Sequence, residues 1–203
     1  LAAERHWWYV HDTMGALSMR DHREHRDGLA ATVRRARFFV VDPAKIDLPG
    51  AVRTQHEAGY RFFEGTAAGA VIVGEPPRGP GFGELFPWPD AVVRAPRDDD
   101  GAATREVLES LDADPSRAAA IRRRNAAGSL RRHDVAHRVR TLLETAGLTV
   151  PAAVDDRIAR LATLADAIAP ERDPSDTTSR IRTTPAQLAP AVARRTTPAV
   201  RAV

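Results

Sequence analysis

Apolar residues fall along this chain in short dense runs separated by longer stretches with helical spacing. Arg37-Phe-Phe-Val-Val41, Ala70-Val-Ile-Val73 and Ala91-Val-Val-Arg94 are the dense runs. Continuous rather than alternating apolarity is the mark of strands covered on both faces, so each predicts a buried strand of a parallel sheet. Trp7-Trp-Tyr-Val10 is aromatic and β-prone and predicts a further short strand. Between the runs the period changes. Leu29, Val33 and Ala36 are spaced for a helix over 22–36, and a second helix is expected from about Glu57 to Ala68, with Gly69 as its left-handed stop. Residues 42–55 read as a loop marked by Pro43, Pro49 and Gly50. Residues 76–90, rich in proline and glycine, read as an ordered loop anchored by Phe82, Leu85, Phe86 and Trp88.

A short helix is expected over 101–111. Asp114-Pro115 is a cap followed by a first-turn proline, and opens a long helix that reaches about Ala146, with Gly128 as a kink and Gly147 as its end. Val154, Ile158, Leu161, Ala165 and Ile168 form one face of a last helix. From Pro170 onward five prolines, six threonines and no periodic apolar pattern predict disorder, a coil with a reach on the order of 30 Å. Strands alternating with helices predict an α/β fold: a Rossmann-like parallel sheet with helices on both faces, then C-terminal helices. The expected division is a lead-in over 1–36, a Rossmann-like domain over 37–148, an amphipathic helix over 149–169 and a disordered tail over 170–203.

Charge narrows the picture less than it first promises. The 203 residues carry a formal net charge of +3, and the sequence pI is about 10.1. With one lysine (Lys45), two tyrosines and no cysteine, almost nothing titrates between neutrality and the arginine range, so a small excess drives the pI high. The excess is also local: residues 170–203 hold six arginines against three acids, and the body is balanced. A nucleic-acid groove needs clustered positive charge on a folded face, which argues against nucleic acid as partner. The absence of cysteine excludes disulfide scaffolds, thiolate zinc sites and thiol catalysis, and fits a reducing compartment, with the cytoplasm as the expected location. No apolar stretch approaches the ~18 residues a transmembrane helix needs.

The densest chemistry lies in Gly59-Tyr-Arg-Phe-Phe-Glu-Gly-Thr-Ala-Ala-Gly-Ala-Val-Ile-Val-Gly-Glu75. A carboxylate, Glu64, sits in a helix leading straight into a buried strand, and Gly65, Ala67, Ala68 and Gly69 are small enough to bring that helix close to a sheet. The helix start would face the carboxyl end of strand 37–41, the edge where open α/β sheets bind ligands and where free amides suit phosphate. Glu64 could accept two hydrogen bonds from a sugar diol. From spacing alone a surface glutamate on an ordinary crossover helix is the simpler reading.

Three blocks taken together, Arg61–Pro77, Phe82–Val93 and Ser110–Leu148, resemble the C-terminal half of group-1 glycosyltransferases, especially the CgeB-like (spore-maturation) glycosyltransferase group. The resemblance covers about residues 37–148 and implies a GT-B architecture, in which two Rossmann-like domains flank the active site and the C-terminal one binds the nucleotide-sugar donor. It implies that Glu64 holds the donor's ribose hydroxyls, that Gly65 and Gly69 keep the helix close, and that Gly74 and Glu75 form the turn near the donor sugar and diphosphate. Lys45 and Arg61 are candidates for the diphosphate. The implied reaction moves a sugar, with retention, from a nucleoside diphosphate sugar to an acceptor (glycan, lipid or protein) without a cofactor or bound metal. The family's usual glutamate pair is separated by seven residues. Here Glu57 and Glu64 are separated by six, and His56 occupies the expected earlier position.

Other constellations have plain readings. Asp98-Asp99-Asp100 could imitate a metal-binding acid motif or could be a solvated turn whose acids favour the next helix start. His133 and His137, four apart, could begin a metal site but lack further ligands, and His22 and His25 read as solvated. Arg122-Arg123-Arg124 with Arg131-Arg132 could meet an acidic partner or a salted surface. Trp7, Trp8 and Trp88 read as anchors. Since two Rossmann-like domains need about 200–400 residues, the chain, which opens on Leu1, is expected to be truncated and to bind donor without turning it over. A non-catalytic nucleotide- or protein-binding module of the same ancestry is the alternative.

Overall fold

The computed structural model describes residue 7 and residues 21–41, 58–96 and 100–169. The chain divides into two units, Leu1–Pro170 and Glu171–Val203, and every described residue belongs to the first. The expected disordered tail, the loop 42–55 and all but the first residue of the expected strand 7–10 lie outside the described residues.

Three parallel strands, β1 (Phe38–Val41), β2 (Val71–Gly74) and β3 (Val93–Arg94), form a sheet in that order, with β2 in the middle. Phe38 pairs with Val71 and Val41 with Gly74, while Val73 pairs with Val93 and Gly74 with Arg94. The third strand is shorter than the apolar run 91–94: Asp90, in the left-handed region at φ 55°, delivers the chain so that only its last two residues pair.

β2 is buried on both faces, as its uninterrupted apolarity requires. Val71 and Val73 join Val93, Ala95, Leu108, Leu111 and Ile121 on one face. This places α4 (Ala102–Ala113) and α5 (Pro115–Arg132) there, and Trp7 packs on Phe38 at the same face, with ring centroids 5.7 Å apart. Ile72 points the other way, into Phe62, Phe86 and Ala91, under α2 (Tyr60–Ala67) and α3 (Pro80–Leu85). Helices therefore cover both faces of a Rossmann-like sheet.

α3 corrects the reading of 76–90 as loop. Pro80 occupies the first turn, where a missing N–H costs nothing, and Phe82 and Phe86, one turn apart, both stack on Phe62. The long helix expected to Ala146 is also corrected: it is two helices, α5 and α6 (Val135–Thr145), broken at His133-Asp134. Asp134 is extended (φ −62°, ψ 145°), and its Oδ1 accepts from the Ala136 N–H at 2.9 Å, capping α6. α5 continues without a break through Gly128, whose use is close approach: a Cβ there would lie 2.7 Å from the Trp88 ring.

α1 (His22–Arg35) is mostly exposed, and α7 (Ala152–Ile168) packs Leu161 and Ala165 inward against α5 and α6. α7 is further tied by Arg131 to Asp166 at 2.5 Å, by Arg140 to Asp155, and by Arg157, which grips both Asp134 oxygens at 2.8 and 2.7 Å.

α5 lies across the amino end of the sheet. Its Arg122 donates to the Ala36 and Arg34 carbonyls at 2.8 and 3.0 Å, closing the C-terminus of α1. Gly69 presses on α5, where a Cβ would lie 3.3 Å from the Arg122 carbonyl oxygen. Asn125, fully buried, donates to the Ala70 carbonyl at 2.8 Å and more weakly to that of Ala91 at 3.4 Å, while accepting the Trp88 indole N–H at 2.7 Å. α5 thereby reaches a carbonyl ahead of each strand, that of Ala91 only at 3.4 Å, and a shallow cavity lies between it and the start of β1, lined by Arg37, Phe38, Leu111, Ala118 and Arg122. The carboxyl ends of the strands form the opposite edge.

Candidate functional site

At that carboxyl edge Val41, Gly74 and Arg94 lie side by side across the three strands. Gly74 is obligatory there: its φ is +154°, and a Cβ would stand 2.0 Å from the Val41 carbonyl oxygen. The chain then leaves the sheet through Glu75, Pro76 and Pro77. Glu75 keeps 23% of its side chain exposed, and its Oε1 accepts from Arg78 Nη2 at 3.3 Å.

α2 runs antiparallel to the strands, because it connects the carboxyl end of β1 to the amino end of β2. Its first turn, beginning at Gly59 and Tyr60, therefore lies toward the carboxyl edge. Phe62, Gly65 and Thr66 form its buried side. Gly65 is flush with the sheet: an added Cβ would lie 2.8 Å from both Ile72 and Phe39 side-chain atoms. The opposite side carries Tyr60, Arg61 and Glu64, all exposed. Glu64 Oε2 accepts from Arg61 Nη1 at 2.8 Å, an i,i+3 pair with 41% of the Glu64 side chain in solvent. Such a pair is weak and opens easily. The helix ends in a Schellman motif: Gly69 (φ 64°) donates to the Thr66 carbonyl and Ala70 to that of Gly65.

The residues singled out in the sequence are thus distributed unevenly. Gly74 and Glu75 stand at the carboxyl edge, and Arg61 and Glu64 share the outer side of α2. Gly65 lies under that helix, and Gly69 lies at the far, amino edge against α5. Lys45, His56, Glu57, Asp98 and Asp99 lie outside the described residues. Asp100 accepts the Ala102 N–H at 3.0 Å at the start of α4, the plain reading of that acid. Arg124 meets Asp90 at 3.3 Å and Arg122 is spent on α1, so two of the three consecutive arginines have intramolecular partners.

His133 and His137 do not act together. His137 Nε2 lies 3.1 Å from the Leu130 carbonyl oxygen. The His133 ring packs among Phe63, Phe86 and Trp88 with centroids 4.9, 4.9 and 5.8 Å away. Burial there holds its imidazole below the ordinary value of 6.5. The Leu85 backbone acts in the opposite direction, and the positive charges of Arg138, Arg132 and His137 add to the lowering. Among the described residues no group of three or more His, Cys, Asp or Glu side chains could hold a metal ion, and no helix is long and apolar enough to cross a membrane.

Arg94 is the functional candidate that sequence reasoning missed. It ends an apolar run and reads as a strand terminus; only the register places it beside Gly74.

A family model described as glycosyl transferase-like matches residues 8–144. Among curated proteins and among solved structures none matches the chain significantly.

Proposed function

The chain belongs to the glycosyl transferase-like family, and on that premise we propose that it is the donor-binding, C-terminal half of a GT-B enzyme of the CgeB-like group. The donor is a nucleoside diphosphate sugar and the acceptor a glycan, lipid or protein. The observation that carries the reading is that Gly74 and Glu75 stand at the carboxyl end of the sheet, the end toward which the first turn of α2, with Arg61, also lies. In open α/β sheets that edge is where nucleotides bind.

In this reading the Glu64 carboxylate accepts the two ribose hydroxyls after releasing Arg61. Gly74, whose missing side chain makes room for the Val41 carbonyl, holds the turn that presents Glu75, and Glu75 takes hydroxyls of the sugar. Transfer breaks the bond between the anomeric carbon and the diphosphate oxygen and forms one to an acceptor oxygen. The leaving diphosphate gains negative charge, so the protein's part is orientation and fixed positive charge. Arg61, once released, and Lys45 are cations available for it. Gly65 and Gly69 act indirectly, by letting α2 sit against the sheet and α5.

Thermal denaturation with a panel of nucleoside diphosphate sugars tests the reading. A donor at about 100 times its Kd adds about 2.7 kcal/mol, which for a domain of this size raises Tm by about 5–10 °C. Glu64→Ala should abolish the shift, and Asp166→Asn, on the outer side of α7, should preserve it. A panel with no response in the wild-type chain overturns donor binding and leaves the non-catalytic protein-binding module as the better reading.

A further inference from the structure

Three described arginines stand at or near the carboxyl edge: Arg61, Arg78 and Arg94. Arg61 is engaged by Glu64 at 2.8 Å, and Arg78 by Glu75 at 3.3 Å. Arg94 is exposed, and no carboxylate among the described residues pairs with it. Its direction follows from the strand. Val93 and Ala95 both enter the core beneath α4 and α5, so by the two-residue period Arg94 faces the other side of the sheet, that of α2 and α3. Its backbone is fixed on two counts. Arg94 is the register partner of Gly74, and the next residue's N–H, that of Ala95, donates to the Gly74 carbonyl at 3.0 Å. A guanidinium is thus held on a strand at the carboxyl edge, beside the residue that leads into Glu75 and on the same side of the sheet as Glu64's helix.

We propose that Arg94 contacts a phosphate of the bound nucleotide, making it, rather than Arg61, the principal fixed cation for the donor's diphosphate. This inference rests on the donor-binding reading above. Arg61 must first give up a carboxylate, whereas Arg94 has none among the described residues to give up. Arginine stays charged at any physiological pH, and its planar fork matches two phosphate oxygens at once. The contact neutralises charge that develops on the diphosphate as the sugar departs.

Isothermal titration of the full chain with the five common nucleoside diphosphates, and with the matching nucleoside, tests the proposal. For the base that binds, the wild-type chain should prefer the diphosphate to the nucleoside. Arg94→Gln should weaken diphosphate binding about tenfold or more, leave the nucleoside unchanged, and flatten the salt dependence. Arg94→Lys should fall between, and Arg61→Gln should change diphosphate affinity by less than Arg94→Gln does. Equal diphosphate affinity in Arg94→Gln and wild type overturns the proposal while the donor site stands, provided Glu64→Ala still loses binding. A lowered Tm of Arg94→Gln without ligand, with affinity unchanged, assigns the residue to the fold and likewise overturns it. Failure of every diphosphate to bind the wild-type chain overturns the donor-binding reading, and the role of Arg94 with it.

Discussion

Asn125 is the polar side chain on which the amino edge of the sheet depends. It is fully buried and links three elements: its amide donates to Ala70 at the start of β2, and its oxygen accepts from Trp88 in the segment before β3. Asn125→Ala leaves the Ala70 carbonyl without its 2.8 Å donor in a water-free place, a loss of about 1–3 kcal/mol, and takes the partner from the half-buried Trp88 N–H, about 1 kcal/mol more. The 3.4 Å contact to Ala91 is too long to add much. The expected cost is about 2–4 kcal/mol, a large part of a domain stability of about 5–15 kcal/mol. Urea unfolding followed by far-ultraviolet circular dichroism and tryptophan fluorescence should show a lower midpoint at unchanged slope. Asn125→Asp separates hydrogen bonding from volume. The acid can still accept from Trp88, but as a carboxylate it cannot donate to Ala70, and burial raises its folded-state pKa above the unfolded value of about 3.9. An acid whose folded pKa is raised destabilises increasingly as pH climbs from the unfolded value to the folded one. The deficit relative to wild type should therefore be largest at neutral pH and shrink as pH falls toward 4. An Asn125→Ala cost below about 0.5 kcal/mol, or a pH-independent deficit in Asn125→Asp, would refute this account.

Two further outcomes follow from the same elements. Gly128→Ala should destabilise by about 1 kcal/mol in urea unfolding, because overpacking against the Trp88 ring at 2.7 Å outweighs the helix-propensity gain of about 1 kcal/mol. Gly28→Ala in α1, where a Cβ meets nothing within 4 Å, should keep that gain. Asp134→Ala should cost about 1–2 kcal/mol at pH 7 through the lost cap and ion pair. The Arg157 hydrogen bonds hold the Asp134 carboxyl down at about 2, a depressed acid, so its contribution is present above about pH 4 and lost as pH falls toward 2. Paired urea curves of wild type and Asp134→Ala at pH 7 and near pH 2.5 should converge, and a constant gap would refute the assignment.

β2 was legible because a strand covered on both faces has no polar side to interrupt it, and Gly69 because glycine takes the left-handed stop at least cost. β1 departs from that expectation, its Val40 being 45% exposed. The break at His133-Asp134 was not. Apolar residues keep helical spacing through it, and the turn is decided by partners far along the chain: the rings that take His133 and the Arg157 that takes Asp134. Gly128 looked like a kink because a helix glycine has two uses, flexibility and close approach, and only the position of Trp88 tells them apart. At the candidate site, Glu64, Gly74 and Glu75 could be named from local sequence. Arg94 could not, since its neighbour in space, Gly74, is assigned by strand register rather than by distance along the chain.

The grip of Arg122 on α1 spans 86 residues to Ala36 and 88 to Arg34. On a ribosome, α1 is therefore made long before the side chain that closes it. At roughly 5–20 residues per second the interval is on the order of ten seconds. Throughout it a polar helix, with Val33 its one buried residue among those described, lacks the side chain that caps its last carbonyls. Nascent chains arrested before and after residue 122 should differ sharply in protease resistance around Arg34 and Arg35, with α1 becoming protected only once α5 has emerged.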